Sequence, residues 1–184
     1  MTIPFFRRTG TQAGEWAAIR RSQAVIEFRL DGTILDANEN FLKAVGYSRD
    51  EVVGQHHRMF VDEVERESRD YAAFWGRLNQ GECIEIPCLR IAKGGRRIWL
   101  LANYTPILDG SGKPVKVVKF ASDITARREA MANLEGQIAA IRKSQAVIEF
   151  DLSGHILDAN DNFLSAVGYS LAEIKGKHHR LFVD

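Results

Sequence analysis

The 184-residue chain has almost no net charge: 25 lysines and arginines stand against 24 aspartates and glutamates. Proteins that grip nucleic acid or an anionic lipid surface leave a basic footprint, so this balance argues against both partners. Long apolar runs are also lacking. No stretch approaches the ~20 apolar residues of a membrane-spanning helix. The opening "MTIPFFRRTGTQAGEW" has no apolar segment behind its charges, as a secretory signal would. A cytoplasmic chain without a membrane span is expected. Cysteine is scarce: Cys83 and Cys88 form no CxxC pair and have no zinc spacing, so two reduced thiols in a strand are expected. Enzyme signatures are missing too, with no GxSxG, P-loop, HExxH or GxGxxG after a strand. "DGSG" and "KGG" read as hairpin turns, and the acidic "DEVERESRD" is balanced by its own arginines. No enzyme and no catalytic residue is expected.

What the chain does have is a copy of itself. Residues 17–62 align without a gap on residues 139–184, offset by 122; of 46 positions 12 differ, leaving 34 identical. That period is far longer than the roughly 20–50 residues of a solenoid repeat and matches a whole small domain. Four segments are expected: an N-terminal lead-in helix (1–21), a complete domain (22–125), a linker helix (126–143) and the opening third of a second domain (144–184). The repeat reads as part of a longer protein with tandem domains.

Within the first copy, "AVIEFRLDGTILDAN" reads as two strands joined by a tight turn at Asp31-Gly32. Ala24, Ile26, Phe28 and Leu30 share one face by the period of two. "NENFLKAVGY" reads as a short helix with Asn38 as N-cap, Phe41, Leu42 and Val45 inward and Gly46 at its end. "SRDEVVG" restarts with Ser48 and Glu51 as a capping box. "DEVERESRDYAAFWGRLNQG" is the longest helical stretch, with Tyr71, Phe74, Trp75 and Leu78 on its inner stripe and Glu65–Arg69 and Arg66–Asp70 as pairs on its wet side. Three strands follow, around Gly94-Gly95 and "DGSGK", with Pro87 marking an edge or a bulge. The expected class is α+β, an antiparallel sheet with helices on one face. Beyond it, Ile124, Met131 and Ile138 with Leu134 and Ile141 make a heptad stripe, weakened at Gly136 by ~1 kcal/mol, that is expected to pair with a second copy of the chain.

The hairpin, "DANENFLKAVGYSRDEVVG", "KGGRRIWLLANYTPI" and the terminal "DIT" before a coiled helix together resemble a PAS sensor domain, wholly over residues 22–125 and partly over 144–184. "GQHHRMFVD…FWGRLNQGE…RRIWLLANYTPI" is similar to the PAS domains of bacterial chemoreceptors of the aerotaxis kind, including tandem-PAS methyl-accepting proteins. The resemblance implies a PAS fold with a five-stranded antiparallel sheet and a homodimer formed through the PAS unit and the linker helix. It also implies a downstream chemoreceptor signalling domain in the full-length protein, and a relay through Asp123, Ile124 and Thr125.

The candidate site residues admit two readings each. Trp75 either packs the core or stacks beside a flavin, where the resemblance to aerotaxis receptors places a tryptophan. Asn103, in a strand among apolar neighbours, needs hydrogen-bond partners if it faces the concave side, and the edge of FAD would supply them. Period two puts it on one face with Trp99 and Leu101 without saying which face. Asn38 and Asn40 either cap a helix or touch a ligand. His56 or His57 would be the ligand if the group were haem, since a neutral imidazole is a good axial donor; the alternative is a structural hydrogen bond. The cofactor is therefore FAD, less simply haem, or none, with a small ligand in its place. A cysteine-adduct light sensor is not expected, because no cysteine lies near the short helices. In the competing reading the domain is a cofactor-free dimerisation module, its core filled by Trp75, Trp99 and Leu101.

Overall fold

The computed structural model describes residues 12–183, so residues 1–11 of the expected lead-in segment, and Asp184, lie outside the described residues. The chain divides into two units after Ala126.

The first unit opens with α1 (Gln12–Ser22), then β1 (Ala24–Phe28), β2 (Ile34–Ala37), α2 (Glu39–Val45) and α3 (Arg49–Val52). A 3-10 turn (His57–Phe60) and the helices α4 (Glu63–Arg66) and α5 (Arg69–Asn79) lead to β3 (Ile84–Ile91), β4 (Arg97–Leu108) and β5 (Pro114–Asp123). The five strands form one antiparallel sheet in the order β2-β1-β5-β4-β3. Pro87, which has no N–H to donate, sits on the edge strand β3, as expected.

The local signals work as the sequence suggests. Gly32 takes a φ of +86° at the hairpin turn and Gly46 takes +74° behind α2, both open to glycine alone without strain. Asn38 caps α2, and Ser48 with Glu51 forms the capping box of α3. The long helix does not run through. Ser68 breaks it by accepting from the Tyr71 N–H at 3.1 Å and so starting α5 afresh. The expected pairs Glu65–Arg69 and Arg66–Asp70 are therefore not made. Glu65 pairs instead with Arg90, and Arg66 Nε donates to the Val61 carbonyl.

Ile26, Phe28, Phe41, Phe60, Leu78, Ile98, Leu100, Tyr104 and Val117 are fully buried between the sheet's inner face and the helices. Each large apolar side chain taken out of water stabilises by about 1.5–3 kcal/mol. On β4 the inward set is Ile98, Leu100, Ala102 and Tyr104, so Trp99, Leu101 and Asn103 point to the opposite face. Leu101 is 40% exposed, and neither it nor Trp99 fills the core.

The second unit contains most of α6 (Thr125–Ser144), then β6 (Ile148–Phe150), β7 (Ile156–Ala159), α7 (Asp161–Val167), α8 (Leu171–Ile174) and a 3-10 turn at His179–Phe182. Met131, Leu134, Ile138 and Ile141 are all exposed on α6. No helix among the described residues is long and apolar enough to cross a membrane.

Candidate functional site

The 3-10 turn carries the histidine pair, and both rings are already engaged. His56 Nδ1 accepts from the Arg58 N–H at 3.1 Å, which leaves the proton on Nε2, 2.7 Å from the Asp31 carbonyl. Burial and the neighbouring Arg58 hold it below its ordinary pKa. His57 has no exposed surface. Its Nδ1 lies 3.0 Å from the Tyr71 hydroxyl and its Nε2 3.1 Å from the Tyr104 hydroxyl. Burial, then the charges of Lys119 and Arg90, push its pKa well below the usual imidazole value, so it is a neutral ring. An axial iron bond needs a free imidazole nitrogen, and neither histidine has one. Haem does not fit these residues.

His57 is the centre of an aromatic cage. Tyr71 and Phe74 stack on it, and Phe28, Trp75 and Tyr104 meet it edge-on. Tyr71 and Phe74 come from α5, Tyr104 from β4 and Phe28 from β1, so the cage joins the helical layer to the sheet. Two cations border it. Lys119 on β5 is 1% exposed, with its ammonium 4.8 Å from the Tyr104 ring centre and 5.8 Å from that of Phe41. Arg90 on β3 is 3% exposed and faces Tyr104, and its Nη1 lies 3.2 Å from the Glu65 carboxylate. Arg90 and Lys119 escaped the sequence reading. For Lys119 the signal was there: in "VKVVKF" it shares strand parity with Val117, which puts a lysine on the apolar face.

Trp75 does lie on the inner stripe of α5, 9% exposed. Its Nε1 is near the Tyr71 hydroxyl but makes no hydrogen bond of ordinary geometry. With Tyr71, Asp31, His56, Arg58 and Arg66 it walls a cleft of about 460 Å³, within the size range of small-ligand sites. Gly32 is packed so close that an added Cβ would stand 2.7 Å from His56 Nε2 and 2.9 Å from Trp75 Cζ2.

The other expected contacts are elsewhere. Asn103 is on the outward face of β4, where its amide donates to Glu85 and accepts from the Thr105 hydroxyl, so it cannot read a ligand in the interior. Asn38 is fully used: Oδ1 accepts from the Val25 and Phe41 N–H groups, and Nδ2 donates to the Arg20 and Gln23 carbonyls. Asn40 Nδ2 donates to the carbonyls of Arg21 and Gln23. Both asparagines tie the end of α1 to the start of α2; Asn38 has no amide atom left for a ligand, and Asn40 keeps only its Oδ1. Ile124 and Thr125 meet Trp99: the Ile124 N–H donates to the Trp99 carbonyl at 2.8 Å, and Thr125 Oγ1 accepts from the Trp99 N–H at 2.9 Å. Asp123 Oδ1 accepts from the Thr125 N–H at 2.9 Å.

Five antiparallel strands wrapping a helix-covered interior, with a helix leaving the last strand, are matched by a profile of the PAS domain over residues 22–126 and again over 144–184. The chain belongs to the PAS domain family. Biofilm dispersion protein BdlA of Pseudomonas aeruginosa is 48% identical over 168 residues, covering 91% of this chain and 40% of that protein. A blue-light-activated histidine kinase of Brucella ovis is 25% identical over 179 residues, covering 91% of this chain and 35% of that protein. Both relatives are thus more than twice as long as this chain. A light-oxygen-voltage domain studied with a flavin analogue shares the fold, with a TM-score of 0.53 at 21% identity over 71% of this chain and 96% of its own. The first PAS unit is therefore a sensory module by family, with an interior built around neutral His57.

Proposed function

We propose that the first PAS unit is the sensing element of a longer cytoplasmic signalling protein of chemoreceptor type, that it works by binding and not by catalysis, and that its output is α6. The observation that carries this reading is the junction. The Asp123-Ile124-Thr125 segment hangs on Trp99, whose strand neighbours Ile98 and Leu100 face the core, so a change inside reaches the first turn of α6 through one strand. The exposed stripe of Met131, Leu134, Ile138 and Ile141 supports pairing of α6 with a second copy of the chain. The identity to BdlA and the resemblance to chemoreceptor PAS domains support a downstream signalling domain as partner.

For the cofactor, Trp75 is the one expected contact that still fits a flavin: an aromatic face on a cleft, with an indole N–H lacking an acceptor. Bound there, FAD would supply redox chemistry, while Trp75 would stack and donate. Cys88 is buried on β3 and Cys83 precedes that strand, so a cysteine adduct from the short helices stays outside the proposal. The filled cage around His57 favours a second reading, a cofactor-free unit whose role is dimerisation.

Hydrogen exchange of the intact chain tests the relay. Trp75→Phe should change amide protection over residues 125–131 at least about threefold, and Thr125→Val should abolish that dependence. Identical α6 protection in wild type and Trp75→Phe would remove the sensing role. A visible spectrum of the purified chain separates the flavin reading from the cofactor-free one.

A further inference from the structure

The Tyr71–His57–Tyr104 chain has two links and must run in one direction. Nδ1 of His57 lies 3.0 Å from the Tyr71 hydroxyl and Nε2 lies 3.1 Å from the Tyr104 hydroxyl. The ring is neutral, so one nitrogen carries a proton and the other accepts one. A tyrosine hydroxyl can donate or accept, so two arrangements satisfy both links. In the first, Tyr104 donates to Nε2 and the Nδ1–H donates to Tyr71. In the second, Tyr71 donates to Nδ1 and the Nε2–H donates to Tyr104. Each leaves one hydroxyl proton directed away from the imidazole: that of Tyr71 in the first, that of Tyr104 in the second.

The surroundings decide between them. Tyr104 has no exposed surface. Besides His57 it is faced by Arg90, with Lys119 over its ring, and neither cation can accept a hydrogen bond. Nε2 of His57 is the one acceptor its hydroxyl has among the described residues. Tyr71 differs on both counts. It lines the cleft beside Trp75, where its proton can find an acceptor outside the cage. The Trp75 Nε1–H also stands near its oxygen, and that group can only donate. A buried hydroxyl left without an acceptor is costly, so the first arrangement holds. The proton of His57 sits on Nδ1, and the Tyr71 hydroxyl donates towards the cleft. The cleft wall carries Asp31, Glu63 and Glu67 as well as Arg58 and Arg66, so its charge favours neither an anion nor a cation strongly. What it offers a ligand is the aromatic face of Trp75 with a fixed donor, Tyr71, one turn away on the same helix.

We infer that the cleft of the first PAS unit selects a flat, neutral molecule by a carbonyl-type acceptor set on the Tyr71 hydroxyl, and that His57, held as its Nδ1–H tautomer by Tyr104, fixes Tyr71 in the donating role. The use of the cleft rests on the sensing reading; the tautomer does not. A ligand that donated to Tyr71 would reverse the whole chain and strand the Tyr104 proton, so two residues that never touch the ligand decide which kind is accepted. His57 and Tyr104 are positioning residues, and Tyr71 is the contact.

The tautomer is read directly by long-range proton–nitrogen correlation NMR of the intact wild-type chain with isotope-labelled histidine. The His57 ring, assigned by its response to Tyr104→Phe, should carry its proton on Nδ1 in at least about tenfold excess over Nε2. A proton on Nε2 overturns the inference whatever binds, and this readout needs no variant to be stable. Selectivity is read with two flat, neutral probes of opposite sense: N-methylpyridone, which only accepts, and indole, which only donates. Both affinities are followed through the amide resonances of Tyr71 and Ala72. The ratio of pyridone to indole affinity should fall about tenfold in Tyr71→Phe, a comparison in which the apolar contributions of the probes cancel. An unchanged ratio, or no binding of the pyridone to wild type, overturns the selection. Hydrogen exchange at residues 125–131 with the pyridone bound separates this idea from the relay. An Nδ1 proton and selective binding without an α6 response leave the recognition standing and sink the relay, and an α6 response to Trp75→Phe with the proton on Nε2 does the reverse.

Discussion

The two copies of the repeat are built from nearly the same residues and keep the same local bonds, yet they make different interiors. Asn160 repeats the bonds of Asn38, accepting from Val147 and Phe163 and donating to Arg142 and Gln145. Asn162 repeats Asn40, Ser170 with Glu173 repeats the capping box, and His178 accepts from Arg180 as His56 does from Arg58. Arg142 bridges Glu149 and Asp158 as Arg20 bridges Glu27 and Asp36. His57, by contrast, is sealed in a cage, while His179 is exposed. Phe28 meets His57 as its counterpart Phe150 meets His179, but the other rings of the cage, Tyr71, Phe74, Trp75 and Tyr104, come from the stretch that follows the repeated segment. Hairpins, caps and clamps are thus local properties of 46 residues, whereas the chemistry of the interior belongs to the rest of the domain.

That contrast can be broken by substitution. His57→Leu should cost about 4 kcal/mol, because it strands two buried hydroxyls at about 1–3 kcal/mol each and removes a close-packed ring. His179→Leu should stay within about 0.5 kcal/mol, as exposed positions do. Urea unfolding checks the first, and hydrogen exchange over β6 and β7 the second. His57 also sets a pH dependence. The unfolded chain binds a proton near pH 6.5 and the folded ring does not, so stability is full above that value and falls below it, by up to about 1.4 kcal/mol per pH unit. His57→Leu should flatten most of that slope between pH 5 and 6.5, with depressed His56 contributing in the same direction.

Gly32→Ala comes next. A left-handed alanine costs roughly 1–2 kcal/mol, and the clash with His56 and caged Trp75 adds about 1–2 more, giving about 3 kcal/mol by urea unfolding. Gly154→Ala meets only His178 and His179, which can swing aside, and should cost about 1 kcal/mol by exchange over the second hairpin. The smallest contrast is Arg20→Ala against Arg142→Ala. Arg20 bridges Glu27, whose side chain is 11% exposed, and should be worth about 1 kcal/mol. Arg142 joins two more open carboxylates and should show a smaller loss, the gap closing in high salt.

Most of the architecture could be read from the chain because its signals are short-range. Asp31-Gly32, the Asn38 cap, the Ser48–Glu51 box and the stripe through Tyr71 and Leu78 each depend on residues within a turn or two of each other. The failures share a cause. Period two placed Trp99, Leu101 and Asn103 on one face of β4 but could not choose that face, since only the partner layer decides. Nor could periodicity see that Ser68 would interrupt a helix it otherwise extends. The cage was hidden because His57, Tyr71, Tyr104, Lys119 and Arg90 lie on five different elements, with no spacing in sequence to link them.

Gly136 lies near the middle of α6, and an added Cβ there would meet nothing within 4 Å. An alanine would fit and would stiffen the helix by up to about 1 kcal/mol, so room is not what keeps a glycine at that place. Its consequence is mechanical. Held at one end by the Trp99–Thr125 bonds and near the other by the Arg142 clamp, α6 is most easily bent at Gly136, where the backbone is freest.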